Sequence, residues 1–195
     1  MTDVLNQISA HFGDLMVSRG NNHNFLGMKI EVKYKVVHIR MKDQVEEAIE
    51  WGGIQSGKKH VTPALSNLFE KCESPKFLMP DESDVFHSVV QKLLYICKRA
   101  RPDIEPALSF LCTRVSKPTP DDKEKLNRVL DYLSDTIDNV RTIGVNGLNT
   151  LYMWVDASYA VNPNMHSHTG GAMSFGRGII HSKSSKQKLN TKRFN

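Results

Sequence analysis

Acidic residues stop at Asp156. From Ala157 to Asn195 there is no Asp or Glu, while Arg177, Lys183, Lys186, Lys188, Lys192 and Arg193 all fall there. A block of one sign suits a polyanion such as nucleic acid. The plain alternative is a basic tail that only keeps the chain soluble, and charge alone weighs the two about evenly. No apolar run approaches the roughly 18 residues of a membrane span, so no transmembrane helix is expected. Asp3, His11, Asp14 and Arg19 break up the first twenty residues, and no apolar core precedes a cleavage site, so no secretory signal is expected. Cysteine is scarce: Cys72, Cys97 and Cys112, none in a CxxC pair. That count disfavours a disulfide or zinc framework and points to small buried hydrophobes in a reducing compartment. No GKS or GKT closes a phosphate-binding loop, and no Ser or Cys sits in a nucleophile elbow. His166 and His168 lack further ligands at zinc spacing.

What the chain has is a globular composition: 195 residues, 39% of them hydrophobic, with a net charge of +5. Val4, Ile8 and Phe12 share one helical face, and Gly13 is a plausible stop. The period then switches. Leu26, Met28, Ile30 and Val32 alternate, as do Val37, Ile39 and Met41, with Lys33, Tyr34 and Lys35 between them. Two such runs read as an antiparallel hairpin with one buried face. A short helix with Val45, Ala48 and Ile49 inward follows. The stretch from Gly52 through Pro80 reads as a linker.

Three helices come next. Phe86, Val89, Val90, Leu93, Leu94 and Cys97 follow helical spacing, with Ser83 as the expected N-cap. Ile104, Ala107, Leu108, Leu111, Cys112 and Val115 repeat it, with Pro102 at the start. In the third, Thr119 caps, Pro120 takes the first turn, and Leu126, Val129, Leu130 and Leu133 face inward. Strand patterns then return. Leu151, Met153 and Val155 alternate up to Asp156, and a second hairpin is expected around Gly176-Arg177-Gly178. The whole is an α+β pattern.

Two acidic features bear on chemistry. Two-metal hydrolysis and nucleotidyl transfer need several carboxylates converging on divalent ions. Asp121-Asp122 is preceded by proline and opens a helix, so it reads as capping charge. Asp156 ends an apolar strand beside a basic hairpin, a place where a carboxylate could hold Mg²⁺ near a phosphate. The competing reading is an ordinary strand-end Asp in a turn.

Several stretches, in collinear order, resemble the Pol polyprotein of copia-type LTR retrotransposons. Arg19-Gly20, His23 and Phe25-Leu26-Gly27-Met28 resemble the end of the reverse-transcriptase palm. Thr62-Pro63-Ala64, Leu93-Leu94-Tyr95 and Arg101-Pro102-Asp103-Ile104 resemble its thumb and connection. Val129-Leu130-Asp131-Tyr132-Leu133 is similar to the helix before the ribonuclease H domain. Val155-Asp156-Ala157-Ser158-Tyr159-Ala160, Ser167-His168-Thr169-Gly170-Gly171 and Ser182-Lys183-Ser184-Ser185-Lys186-Gln187 resemble that domain's opening three strands.

The resemblance implies four segments. Residues 1–51 are the palm end with a primer-grip-like helix and β-hairpin, and 52–80 a linker. Residues 81–147 are a helical thumb or connection region, and 148–195 the first antiparallel strands of a ribonuclease H-like sheet. It implies that Phe25, Leu26 and Gly27 position a primer end, and that Asp156 is the first metal-binding carboxylate of ribonuclease H. It places Arg177, Lys183, Lys186 and Lys188 near the phosphates of an RNA–DNA hybrid. Mg²⁺ is the parent enzyme's cofactor, with none bound productively here. The expected partners are an RNA–DNA hybrid and the rest of a Pol polyprotein, not a membrane. The expected location is cytoplasmic or nuclear. The aromatic-x-Asp-Asp motif expected upstream of Met1 and the later carboxylates expected after Asn195 are missing, and His166 stands where the family shows arginine. The expectation is therefore a fragment inactive by itself, with a co-opted nucleic-acid-binding module as the alternative.

Overall fold

The computed structural model describes residues 2–54, 59–71, 76–162 and 165–188. Cys72, the middle of the Gly52–Lys59 loop, and Lys192 and Arg193 of the basic stretch lie outside the described residues.

The chain opens with helix α1 (Thr2–Phe12), ended by Gly13 as expected; the Gly13 N–H donates to the Ser9 carbonyl at 2.9 Å. Three antiparallel strands follow: β1 (Asn22–Phe25), β2 (Met28–Lys33) and β3 (Val36–Arg40). The alternating run read from Leu26 to Val32 as one strand is broken at its start. Leu26 (φ 49°) and Gly27 (φ 76°) are both left-handed, so the chain reverses there and Leu26 sits in a turn. The polar β1, with a single apolar residue, escaped the periodicity reading. Helix α2 (Lys42–Gly52) buries Val45 and Ala48, as its spacing predicts.

Helix α3 (Pro80–Arg99) starts a turn earlier than the Ser83 cap predicts. Pro80 occupies the first turn, Asp81 and Glu82 complement its positive end, and the Ser83 N–H donates to the Met79 carbonyl at 2.9 Å. A short 3₁₀ turn (Pro102–Ile104) leads into α4 (Glu105–Cys112). Helix α5 (Pro120–Asp135) has the expected Thr119 cap, completed as a capping box. The Asp122 N–H donates to Thr119 Oγ1 at 3.2 Å, and Asp122 Oδ2 accepts from the Thr119 N–H at 2.9 Å.

The buried hydrophobic residues described run from Met41 to Leu133, and the largest belong to α3, the 3₁₀ turn, α4 and α5. This is the core of the described residues, formed where the apolar stripes of α2 to α5 meet. Part of the 52–80 segment joins it. Leu68 is buried, and Phe69 meets Phe110 edge-on at 5.9 Å between centroids.

After α5 come β4 (Arg141–Val145), β5 (Tyr152–Ser158), β6 (His168–Ser174), β7 (Gly176–Arg177) and β8 (His181–Lys186). They form two antiparallel sheets, β1-β2-β3-β4-β7 and β5-β6-β8. β4 was not anticipated; it pairs with β3 through Val37↔Ile143. The expected hairpin tip at Gly176-Arg177-Gly178 is also different. β7 leaves the β6–β8 pair and bonds to β4, Gly144 opposite Arg177. Glycine permits this: at Gly178 (φ 74°) a Cβ would fall 1.8 Å from the Thr142 carbonyl oxygen. β8 packs on α4, so the three-stranded sheet has an inner face toward the helices and an outer face toward solvent. No helix among the described residues is long and apolar enough to cross a membrane.

Candidate nucleic-acid interface

The Phe25–Met28 motif is a two-residue β-turn. Phe25 pairs with Met28, and the left-handed Leu26 and Gly27 between them match the twist of their strands. The positive φ of Gly27 favours glycine at the second position, and the Gln44 side chain packs close beside it. A Cβ there would lie 2.6 Å from the Gln44 side chain of α2. The Tyr95 hydroxyl of α3 donates to the Leu26 carbonyl at 2.6 Å and ties the turn to the helical core. Phe25 and Leu26 are each 59% exposed. The turn is thus a fixed apolar projection without charge.

Asp156 lies inside β5 rather than at its end, since the strand continues to Ser158. It is exposed, and one carboxylate oxygen accepts the Ala157 N–H at 2.8 Å. In register it faces Gly170 and then Ser184. At Gly170 an added Cβ would meet nothing within 4 Å, so the floor beside Asp156 is open. Asp156, Trp154, Gly170, Ser184, Pro102 and Pro106 line a cleft of about 490 Å³ between the sheet and the start of α4.

Glu105, buried at 4% exposure, also lines this cleft. Burial by itself raises its carboxyl, but hydrogen bonds from Lys98 and Ser182 outweigh that and hold it below the usual glutamate range. Ser182 Oγ donates at 2.5 Å and the Ser184 N–H at 3.2 Å, and Lys98 forms an ion pair with it. Its oxygens are committed to these donors. Among the described residues no three His, Cys, Asp or Glu side chains gather at one place. The described residues therefore do not fit a two-ion Mg²⁺ site; Asp156 stands as a single carboxylate.

The basic residues do not converge. Paired residues across β5-β6-β8 share a face, so Lys183 lies on the outer face with Val155 and Gly171. Lys186 lies on the inner face with His168. Arg177 is exposed on the five-stranded sheet and donates through Nε to Asn146 at 3.1 Å. Lys188 is exposed just past β8.

Other motif residues hold the frame. Arg101 is buried with Nε and Nη2 on Asp103 and both Nη atoms on Thr136. The Tyr132 hydroxyl donates to Asp103 at 2.9 Å. Asp122, which the sequence assigned to capping, also accepts Arg114 Nε at 3.0 and 3.1 Å. Glu105 was missed in the sequence, and Tyr95 was quoted only within the Leu93-Leu94-Tyr95 signature, without its bond to the Leu26 turn. Tyr95 leaves a half-exposed hydroxyl on an apolar helix, a weak signal, and Glu105 looks like ordinary first-turn charge.

The chain is similar to the uncharacterized mitochondrial protein AtMg00810 of Arabidopsis thaliana, 30% identical over 169 residues, which cover 87% of this chain and 68% of that protein. No protein-family model matches the chain. No solved structure matches it.

Proposed function

The chain is retrotransposon-related and belongs to the same family as the Arabidopsis mitochondrial protein, and on that premise we propose that it is a segment of a copia-type reverse transcriptase and ribonuclease H polyprotein. In this reading it binds an RNA–DNA hybrid and does not cleave it alone. The observation that carries the reading is the β5-β6-β8 meander, which bears Asp156 on its first strand and basic residues on its last, while the other carboxylate of the cleft, Glu105, is committed to Lys98, Ser182 and Ser184, and no group of three metal-ligating side chains gathers among the described residues. Lone carboxylates do not hold two ions, whereas Lys and Arg side chains attract phosphates without sequence preference. The apolar Phe25–Gly27 turn adds a surface against which a sugar or base can rest.

The test is Mg²⁺-dependent cleavage of a labelled RNA–DNA hybrid by the purified chain beside its Asp156→Asn variant, with binding followed over a salt series. Binding that weakens steeply with salt, and cleavage no greater than that of the variant, is the expected result. Cleavage lost only in Asp156→Asn overturns the non-cleaving part, and an absence of binding at low salt overturns the binding part. A co-opted nucleic-acid-binding module shares the binding half of this reading and the same salt dependence.

A further inference from the structure

Lys71, Phe77, Arg114 and Lys117 line a cavity of about 280 Å³ between the 59–71 segment, the approach to α3 and the turn after α4. Arg114 is fixed there. Its Nε donates to Asp122, which is 2% exposed and held by the capping box, while its two Nη atoms have no hydrogen-bond partner among the described residues. Asp121 also lines the cavity but pairs with Lys125 at 2.8 Å. Lys186 approaches from the inner face of β8: its cross-strand partner His168 packs 5.1 Å from Phe69, two residues before Lys71. Among the described residues Lys71, Lys117 and Lys186 have no carboxylate partner. Burial, and then the neighbouring charges of Arg114 and Lys186, push the Lys71 ammonium down. Asp122 pairs with Arg114 and Asp121 with Lys125, so Lys71, Lys117 and Lys186 leave an excess of positive charge at the cavity, a place prepared for an anion. Phe77 adds something an anion site does not need. Its ring is 54% exposed, with the Lys117 ammonium 5.9 Å from its centroid.

We propose that this cavity binds single-stranded nucleic acid, with backbone phosphates between Lys71, Arg114 and Lys117 and one base stacked on Phe77. A duplex hides its base faces, and an acidic peptide has no use for the ring; a single strand uses both the cations and the aromatic face. The inference rests on the nucleic-acid reading above and assigns it to residues outside the C-terminal basic stretch.

The experiment is fluorescence anisotropy of a labelled oligodeoxythymidylate with the full chain across a salt series. It compares wild type, the Lys71→Gln and Lys117→Gln double variant, Phe77→Ala, and an Arg177→Gln and Lys183→Gln double variant. Neither lysine makes an ion pair or a side-chain hydrogen bond among the described residues, Lys117 reaching only the Phe77 ring, and circular dichroism checks that each variant folds. The lysine pair is expected to lower the slope of log K against log salt by about 1.4, two phosphates at roughly 0.7 each for a single strand. Phe77→Ala is expected to weaken binding on the order of tenfold with the slope unchanged. If the wild type binds the oligonucleotide while the cavity variants bind as well as it does, this inference fails and the hybrid-binding reading survives. Wild type that binds neither oligonucleotide nor hybrid at low salt overturns both. Displacement by polyglutamate as effective as by unlabelled oligonucleotide, with Phe77→Ala silent, makes the cavity an acidic-peptide site and overturns the nucleic-acid assignment.

Discussion

Arg101 has 3% exposure, yet its guanidinium spans two elements: Asp103 in the 3₁₀ turn before α4, and Thr136 at the end of α5. Such a fork cannot be copied by lysine, whose ammonium is a single point of charge. Removing one partner of a fully buried ion pair costs about 3–5 kcal/mol, but the Asp103 side chain is 34% exposed and keeps the Tyr132 hydroxyl, which brings the cost here to about 2–3 kcal/mol. We expect Arg101→Ala to lose about that much in urea unfolding and Arg101→Lys to lose about 2 kcal/mol, since the planar second contact goes. A loss below about 0.5 kcal/mol for Arg101→Lys would show that solvent replaces the fork without penalty. The sequence carried Arg101-Pro102-Asp103-Ile104 as a family signature, but its role is in the packing and becomes visible only once α5 is folded back. Gly27, Leu26 and Gly178 teach a similar lesson. Glycine at a turn is legible from the sequence, and at Gly27 its positive φ is the reason; at Gly178 the reason it cannot be replaced is a neighbour distant in sequence, the Thr142 backbone.

Between elements, the contact that attaches the three-stranded sheet to the helices runs through Glu105, which begins α4 and accepts from Ser182 and Ser184 of β8. Because its folded carboxyl titrates below the ordinary glutamate value, its contribution is complete above that value and is lost as pH falls through the lower folded one. The urea midpoint of wild type should therefore exceed that of Glu105→Gln at pH 7, and the gap should narrow at pH 3; a gap equal at both would mean the ionised carboxylate contributes nothing. The helical elements were legible because their stripes repeat every three to four residues over long spans and are buried together. The strands were less so. β1 is polar, and β4 is short, with a glycine whose missing Cβ lets the Lys35 carbonyl approach to where a Cβ would be 2.7 Å away. Its strand state comes from pairing with β3, a relation of residues about a hundred apart in sequence. The same distance hid the site. Asp156 could be singled out as the last acid of the chain, but its place mid-strand over the open floor at Gly170 depends on register with β6.

For the molecule as a whole, apolar burial and sheet area are in different places. Among the described residues, none after Leu133 belongs to the buried hydrophobic core. β5 is an edge strand exposed along its length, with Met153 at 63%, Val155 at 64% and Trp154 at 54% exposure. Its backbone is held on one side only, by β6, and Asp156 takes up one N–H, that of Ala157. Local opening requires little where few apolar contacts are lost, so stability should be graded along the chain. Amide hydrogen exchange should find the α3 and α4 cores protected up to the global unfolding free energy, and β5 amides exchanging roughly a hundredfold faster or more. The exposed apolar edge is also a template for pairing with another strand, so added partner that covers it should slow β5 exchange selectively. Uniform protection from α3 through β8 would sink the graded picture, because it would require the sheet and the helices to open as one cooperative unit although among the described residues they meet mainly through α4, Glu105, the Phe69–His168 contact and Arg141, which donates to the Arg99 and Ile179 carbonyls.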